Sequence, residues 1–293
     1  MKAHDLLIAL FCLAVAGSAN AQVSKSKQQK KQEDLPDVAL QIPADTRPEV
    51  KAIIKDNAIA LASRKSSERI KAAHVLGELG EQGKPVRGLL CRAMLDSYQT
   101  VRVAAADALK SIDPKIQYLA VALVTEKDSS RRHELLTNIQ DLKEDGEPLA
   151  PLVANSAKIT ASHAVIDTNG RTLPRDENAL SQEITTLSYI AKNDMASYKL
   201  IASALDNGSE HVRLSAVQSV ARMKHGPLAI KKLITLIKTD TTKNRIAAIQ
   251  TLSVIADKST EEMVTAAIAG QRYHDEESIR KAVEEALNKL ENK

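Results

Sequence analysis

Val101-Arg102-Val103-Ala104-Ala105-Ala106-Asp107-Ala108-Leu109 carries the pattern on which the fold turns, and Arg69-Ile70-Lys71-Ala72-Ala73-His74-Val75-Leu76 repeats it. Working outward from these two copies, an anchor position recurs as Arg69, Arg102, Arg132, Arg213, Arg245 and Arg280, with Leu180 in the fourth place. The spacings are 33, 30, 48, 33, 32 and 35 residues. Seven positions past each anchor stands an apolar residue: Leu76, Leu109, Ile139, Leu187, Val220, Leu252 and Leu287. Ten positions past stands another: Leu79, Ile112, Leu142, Ile190, Met223, Ile255 and Leu290. Offsets of three, four, seven and ten share one face at about 3.6 residues per turn, so each copy reads as an amphipathic helix, the second of a repeating unit.

Between the copies run further helical stretches, several opened by proline, whose missing N–H costs nothing in a first turn. They are Pro48 to Ala62, Pro85 to Leu95, Pro114 to Val124, Pro148 to Ala157, Met195 to Leu205, Pro227 to Ile237 and Thr260 to Ala269. Asp113 and Asp194 sit where N-caps belong, and Ser259 with Glu262 has the spacing of a capping box. One helix pair cannot bury its apolar face alone, so the pairs must stack. The unit repeats at a little over thirty residues, with a single insertion in the 48-residue spacing.

An arginine followed by an alanine pair and then Leu-x-x-apolar, with Leu95-Asp96 six residues ahead of Arg102, resembles the HEAT repeat, in particular its short alanine-rich form named after phycocyanobilin lyases. The resemblance spans residues 46–293 and is strongest at Arg69, Arg102, Arg213, Arg245 and Arg280. It implies that a turn aspartate and the second-helix arginine build a ladder of hydrogen bonds between neighbouring units, which would make Arg69, Arg102, Arg132, Arg213, Arg245 and Arg280 structural. Asp96 with Arg102 fits the family spacing, while Asp206 with Arg213, Asp240 with Arg245 and Asp275 with Arg280 depart from it by one residue. The expected architecture is all-α: a right-handed α-solenoid of about seven HEAT-like helix pairs with one small insertion, a possible β-hairpin.

Composition agrees. With Phe 1, Trp 0 and Tyr 5, the core must come from Leu, Ile, Val and Ala, and a chain with only 10 Gly leans towards helix. The same poverty of aromatics removes the stacking platforms used for single-stranded nucleic acid. The net charge of +4 is too small for a binder that works by neutralising phosphates, so no nucleic-acid partner is expected.

The N-terminus joins Lys2, an apolar run from Leu6 to Ala16, and Gly17-Ser18-Ala19-Asn20-Ala21. These are the three parts of a secretory signal peptide, residues 1–21, and the apolar run is shorter than the ~20 residues a membrane span needs. The expectation is export to the periplasm or cell envelope, or secretion, with no membrane-spanning segment after cleavage. Residues 22–45 follow as a flexible linker, basic and polar at Lys25, Lys27, Lys30 and Lys31, which reads as a tether or as an arm for anionic polymers. Past residue 21 only Cys91 remains, which excludes an internal disulfide.

The insertion, residues 159–178, holds Asn169-Gly170 between Val165-Ile166-Asp167-Thr168 and Arg171-Thr172-Leu173, a strong hairpin signal. It reads either as a neutral surface loop or as part of a binding face. Asp167-x-Asn169-Gly170 lacks the remaining ligands of a calcium loop.

A search for chemistry returns little. The seven histidines have no same-face metal spacing, Cys91 lies between Leu90 and Arg92 on a helix, and neither a nucleophile elbow nor a phosphate-cradling glycine loop occurs. No catalytic residue, metal or cofactor is assigned. What remains is surface. In solenoids of this kind the second helices line the concave side, and the position five past each anchor reads His74, Asp107, Thr137, Thr185, Gln218, Gln250 and Glu285. Nine past the anchor stand Glu78, Ser111, Asp141, Tyr189 and Arg222. His74, Asp107, Thr137, Thr185, Tyr189, Gln218, Arg222 and Gln250 are the candidate contacts for another protein or a peptide segment. The sequence therefore favours a non-catalytic exported scaffold. The alternatives are a lyase-like or other small-molecule enzyme on the same scaffold and a binder of anionic envelope polymers.

Overall fold

The computed structural model describes residues 40–166, 172–174 and 176–292; the signal-peptide expectation and most of the linker expectation lie outside these residues. The described residues hold fourteen α-helices in seven consecutive pairs. They are α1 (Pro48–Ala60) with α2 (Ser66–Glu78), α3 (Arg87–Ala93) with α4 (Gln99–Ile112), α5 (Pro114–Thr125) with α6 (Ser129–Gln140), and α7 (Ala150–Ser162) with α8 (Glu177–Ile190). Then follow α9 (Met195–Ser203) with α10 (Glu210–Val220), α11 (Ile230–Thr239) with α12 (Thr242–Ile255), and α13 (Glu261–Ala269) with α14 (Glu277–Glu291). The chain divides into two compact units, an N-terminal one of residues 1–135 with 146–152 and a C-terminal one of residues 136–145 with 153–293.

The seven-past-anchor residues decide the packing within each unit. Leu76 and Leu109 in the first and Ile139, Leu187, Val220, Leu252 and Leu287 in the second are all buried. Full burial of such a side chain contributes about 1.5–3 kcal/mol. Of the ten-past-anchor set, Ile112, Ile190, Met223, Ile255 and Leu290 are buried, while Leu79 and Leu142 are half-buried just beyond the ends of α2 and α6.

Caps fix several helix starts. Asp113 accepts from the Ile116 N–H at 3.2 Å, Asp176 from the Ala179 N–H at 2.9 Å, and Asp194 from the Ser197 N–H at 2.7 Å. The capping box expected from Ser259 to Glu262 does not form: Thr260 is the residue before α13, and the Asp257 carboxylate instead gathers the N–H and hydroxyl groups of Ser259 and Thr260. A short carboxylate ahead of the helix reaches four donors at once, which the longer Glu262 cannot match.

Pro48 and Pro114 stand in the first turn of their helices as expected. Pro85, Pro148 and Pro227 do not; they lie inside 3-10 segments, Gly80–Val86, Lys143–Leu149 and Gly226–Ala229, that precede α3, α7 and α11. Glycine accompanies the difference at two of the three: a Cβ on Gly83 would lie 2.7 Å from the Cδ1 of Ile112 on the following second helix, α4, and one on Gly226 would lie 2.6 Å from the Val220 carbonyl oxygen of the preceding one, α10, so the chain presses close to a second helix before turning. The turn itself starts eleven residues past the anchor, where Gly80 has φ +52° and Lys143 has φ 51°. Glycine takes that conformation without strain; lysine does not.

The two units close the seam between neighbouring second helices differently. In the N-terminal unit α2 meets α4 so closely that a Cβ on Gly77 would lie 2.9 Å from the Cα of Ala108, amid buried Ala72, Ala73, Ala104 and Ala105. In the C-terminal unit α8, α10 and α12 bury Glu183, Thr186, Ser188, Ser219, Asn244, Thr251 and Ser253. Ser156 on α7 donates to the Glu183 carboxylate, Gln140 donates to Thr186 at 2.9 Å, and Thr251 donates to the Val217 carbonyl at 3.3 Å.

None of the expected aspartate–arginine pairings forms; Arg69 and Arg213 instead each reach a carboxylate of the next pair. Asp96 does not pair with Arg102; its carboxylate receives Arg69 Nε at 2.7 Å and Nη2 at 2.9 Å, and Arg69 Nη1 donates to the Ser63 carbonyl. Arg213 repeats this with Asp240 at 2.7 and 2.5 Å, its Nη1 going to the Asn207 and Gly208 carbonyls. Thus Asp240 serves Arg213 of the preceding pair, not Arg245. The physical reason is geometric: the guanidinium's inner edge holds its own turn by carbonyls, so its fork points to the next turn, 27 residues on.

Elsewhere the ladder is improvised. Arg245 reaches Gln271 at 2.8 Å, and Arg132 and Arg280 hold backbone carbonyls. Asp206, expected with Arg213, pairs with Lys232, and the backbone carbonyl of Asp275, not its carboxylate, receives Arg280. Arg102 holds the Asp96 and Ser97 carbonyls, while its buried Nε has no partner. The shorter 30-residue spacing brings Glu126 to that turn, and its carboxylate accepts from the Lys127 and Asp128 N–H groups instead.

The insertion carries two antiparallel strands, β1 (Ala164–Ile166) and β2 (Thr172–Pro174), with Val165 opposite Leu173. The Asn169-Gly170 turn that would join them lies outside the described residues.

Candidate functional site

His74 and Asp107 belong to the N-terminal unit, on α2 and α4, and both side chains are exposed. The other six candidates belong to the C-terminal unit. There, second helices α8, α10, α12 and α14 pack as successive neighbours. Gln218 and Gln250 are exposed and Thr185 is half-buried, one residue from each of three consecutive helices. Thr185 back-bonds to the Ser181 carbonyl at 2.8 Å, which fixes its hydroxyl hydrogen and leaves its oxygen an acceptor. Thr137 accepts from Gln182 Nε2 at 3.3 Å.

Tyr189 and Arg222, nine past their anchors on adjacent helices, touch. The Arg222 Cζ lies 4.7 Å from the centroid of the Tyr189 ring, and Arg222 Nη1 donates to the Gln218 carbonyl at 3.0 Å. This contact shows that equal offsets on α8 and α10 stand side by side, so the rows read from the sequence are physical rows here. Both residues are half-buried. Val254 on α12 extends the row and is 45% exposed. Sequence reasoning passed over Val254 and Gln182; carrying the offset-nine row one helix further would have found the former.

Groups that could do chemistry are otherwise occupied. Burial pushes the Cys91 thiol far above its ordinary range, against a smaller opposing pull from Arg87, so the thiolate is scarce at neutral pH. His225 shares a hydrogen bond of 3.1 Å with the Asn193 carbonyl and tilts against Tyr198. Burial raises the Asp240 carboxyl, but the hydrogen bonds from Arg213, the Thr241 N–H and Asn244 outweigh it and hold the group below the usual carboxylate range. Among the described residues no group of three or more His, Cys, Asp or Glu side chains could hold a metal ion, and no helix is long and apolar enough to cross a membrane.

No family model matches the chain, and no curated protein matches it. Solved structures do. Human deoxyhypusine hydroxylase in complex with glycerol is 17% identical, covers 87% of this chain and 95% of its own, and has a TM-score of 0.38. A designed armadillo repeat protein is 15% identical over 81% of this chain and 99% of its own, with a TM-score of 0.34. The complex of CpcE and CpcF of phycocyanin lyase from Nostoc is 18% identical over 85% and 98%, with a TM-score of 0.33. Enzymes and a designed repeat protein stand together in this set, so no activity or residue role comes to this chain from it.

Proposed function

We propose that this protein is an exported, non-catalytic HEAT-type scaffold that holds a segment of another protein against the second-helix face of its C-terminal unit. One observation carries the reading: consecutive helices present one hydrogen-bonding, uncharged side chain each, Thr185, Gln218 and Gln250, beside the Tyr189–Arg222 contact. Packed helices lie about 8–10 Å apart, and an extended chain advances about 3.3 Å per residue. A segment crossing the helices would therefore meet a new partner side chain every third residue, and amide side chains can both donate to and accept from its backbone. Export is supported by the leader-like residues 1–21, and the absence of catalysis by the enclosure of Cys91, the pairing of Asp240 and the burial of Glu183.

Crosslinked capture from a native envelope extract tests this. Tyr189→Asp and the pair Gln218→Arg with Gln250→Arg should abolish recovery of the partner taken by the natural chain, while the far-ultraviolet circular dichroism stays helical. Recovery at the natural level by both variants would reject the face.

A further inference from the structure

We infer that Arg222, braced by Tyr189, is a carboxylate-recognition point, and that the segment held on this face carries an aspartate or glutamate side chain there. The inference rests on the face proposed above and adds the chemistry of its occupant.

Arg222 differs from the anchor arginines of its unit. Arg213 spends its fork on Asp240, Arg245 reaches Gln271, and Arg280 holds carbonyls at the start of its helix. Arg222 has its plane against an aromatic ring and one N–H on a carbonyl, and among the described residues no carboxylate lies within ion-pair distance of it. The stacking and the Nη1 bond remove most of the side chain's freedom in advance, so less entropy is lost when a ligand arrives. The guanidinium keeps further N–H donors on a planar fork, and the group that matches such a fork is a carboxylate.

The surroundings select among anions. Thr185, Gln218 and Gln250 are uncharged and suit the amides of an extended backbone, whereas Asp141, just past the end of α6, and Glu285 on α14 are both exposed and belong to the pairs of the same unit that flank these three. Those acids disfavour a multiply charged phosphate polymer, and a single carboxylate flanked by neutral residues fits better.

The test uses the full chain with isotope-labelled arginine and three short peptides of serine and asparagine. The first is acetylated and amidated with one central glutamate; the second replaces that glutamate by glutamine; the third is the glutamine peptide with a free C-terminal carboxylate. The glutamate peptide should shift the Arg222 Nε–H resonance and bind about tenfold more tightly than the glutamine peptide, as one charge-assisted bond pair predicts. The advantage should shrink with added salt and vanish in Arg222→Gln, while Tyr189→Leu weakens it and Tyr189→Phe retains it. Equal binding of the glutamate and glutamine peptides, an undiminished advantage in Arg222→Gln, or binding of the free-terminus peptide alone would each overturn the inference. If both capped peptides bind equally and Gln218→Arg removes both, the face survives and only its carboxylate preference falls. If no peptide binds and partner capture survives every substitution, the face falls with it.

Discussion

The N-terminal unit seals its second-helix seam with alanine and glycine, whereas the C-terminal unit keeps alanine at Ala216 and Ala248 and adds buried hydroxyls, an amide and a carboxylate. Six past the anchor, Ala108 in the former is answered by Thr186, Ser219 and Thr251 in the latter, all buried. Alanine lets the backbones approach until Gly77 touches Ala108, and dispersion does the rest. Thr251 bonds the Val217 carbonyl of the neighbouring helix, while Thr186, Ser188 and Ser253 donate to carbonyls of their own helices, and a buried hydroxyl without a partner costs stability. The same repeat frame is thus closed in two ways, and the polar way accompanies the unit whose second-helix face carries Tyr189 and Arg222.

What the two units share should respond most. Leu109→Ala and Leu252→Ala each remove a fully buried side chain from the same repeat position, and each should cost about 3–4 kcal/mol in denaturant unfolding. A loss below about 1 kcal/mol at either site would show that the two units do not share one frame.

Next comes the rung. Asp240→Ala leaves Arg213 without its carboxylate at a largely buried site and should cost about 3 kcal/mol. Because the folded Asp240 carboxyl lies below its unfolded value, the unfolded chain binds the extra proton, and stability rises with pH across that window. The contribution is complete above the ordinary carboxylate range, near pH 4, and fades as pH falls through the folded value. Unfolding midpoints measured at pH 7 and pH 3 should therefore differ less in Asp240→Asn than in the natural chain; an equal difference contradicts the assignment.

Gly77→Ala separates the units. A methyl 2.9 Å from the Ala108 backbone forces the helices apart and should cost about 2 kcal/mol, visible as a lower melting temperature. Lys143→Gly works in the opposite direction, because it relieves a left-handed lysine at the position Gly80 occupies in the other unit, and should gain about 1 kcal/mol. The smallest change sharpens the polar seam. The Ser219 hydroxyl is buried without a partner, so Ser219→Ala should be neutral or stabilising by about 0.5 kcal/mol, and a clear loss of stability would show that the hydroxyl is bonded after all.

Much of this frame was legible in the chain. The period-3.6 apolar set gave all seven helix pairs, because burial of leucine-sized side chains is a strong signal that survives without knowledge of the neighbours. Proline position was less so: Pro85 and Pro148 look like helix starts, yet both lie in 3-10 segments, and at Pro85 the close approach of Gly83 to Ile112 accompanies the turn. The ladder was legible as residue types but not as pairs, since a guanidinium can reach its own turn or the next, and only packing shows which. At the candidate site the rows were readable, while the stacking of Arg222 on the Tyr189 ring was not, because it depends on the offset of one helix against another.

The sequence by itself determined the helix pairs, their buried faces and the polar character of the exposed second-helix row, for these follow from the spacing of apolar residues along one chain. Tertiary structure alone decided which aspartate serves which arginine, which buried hydroxyls are satisfied and that Tyr189 braces Arg222. Those outcomes depend on distances between residues about thirty positions apart, where an error of 1 Å separates a hydrogen bond from none.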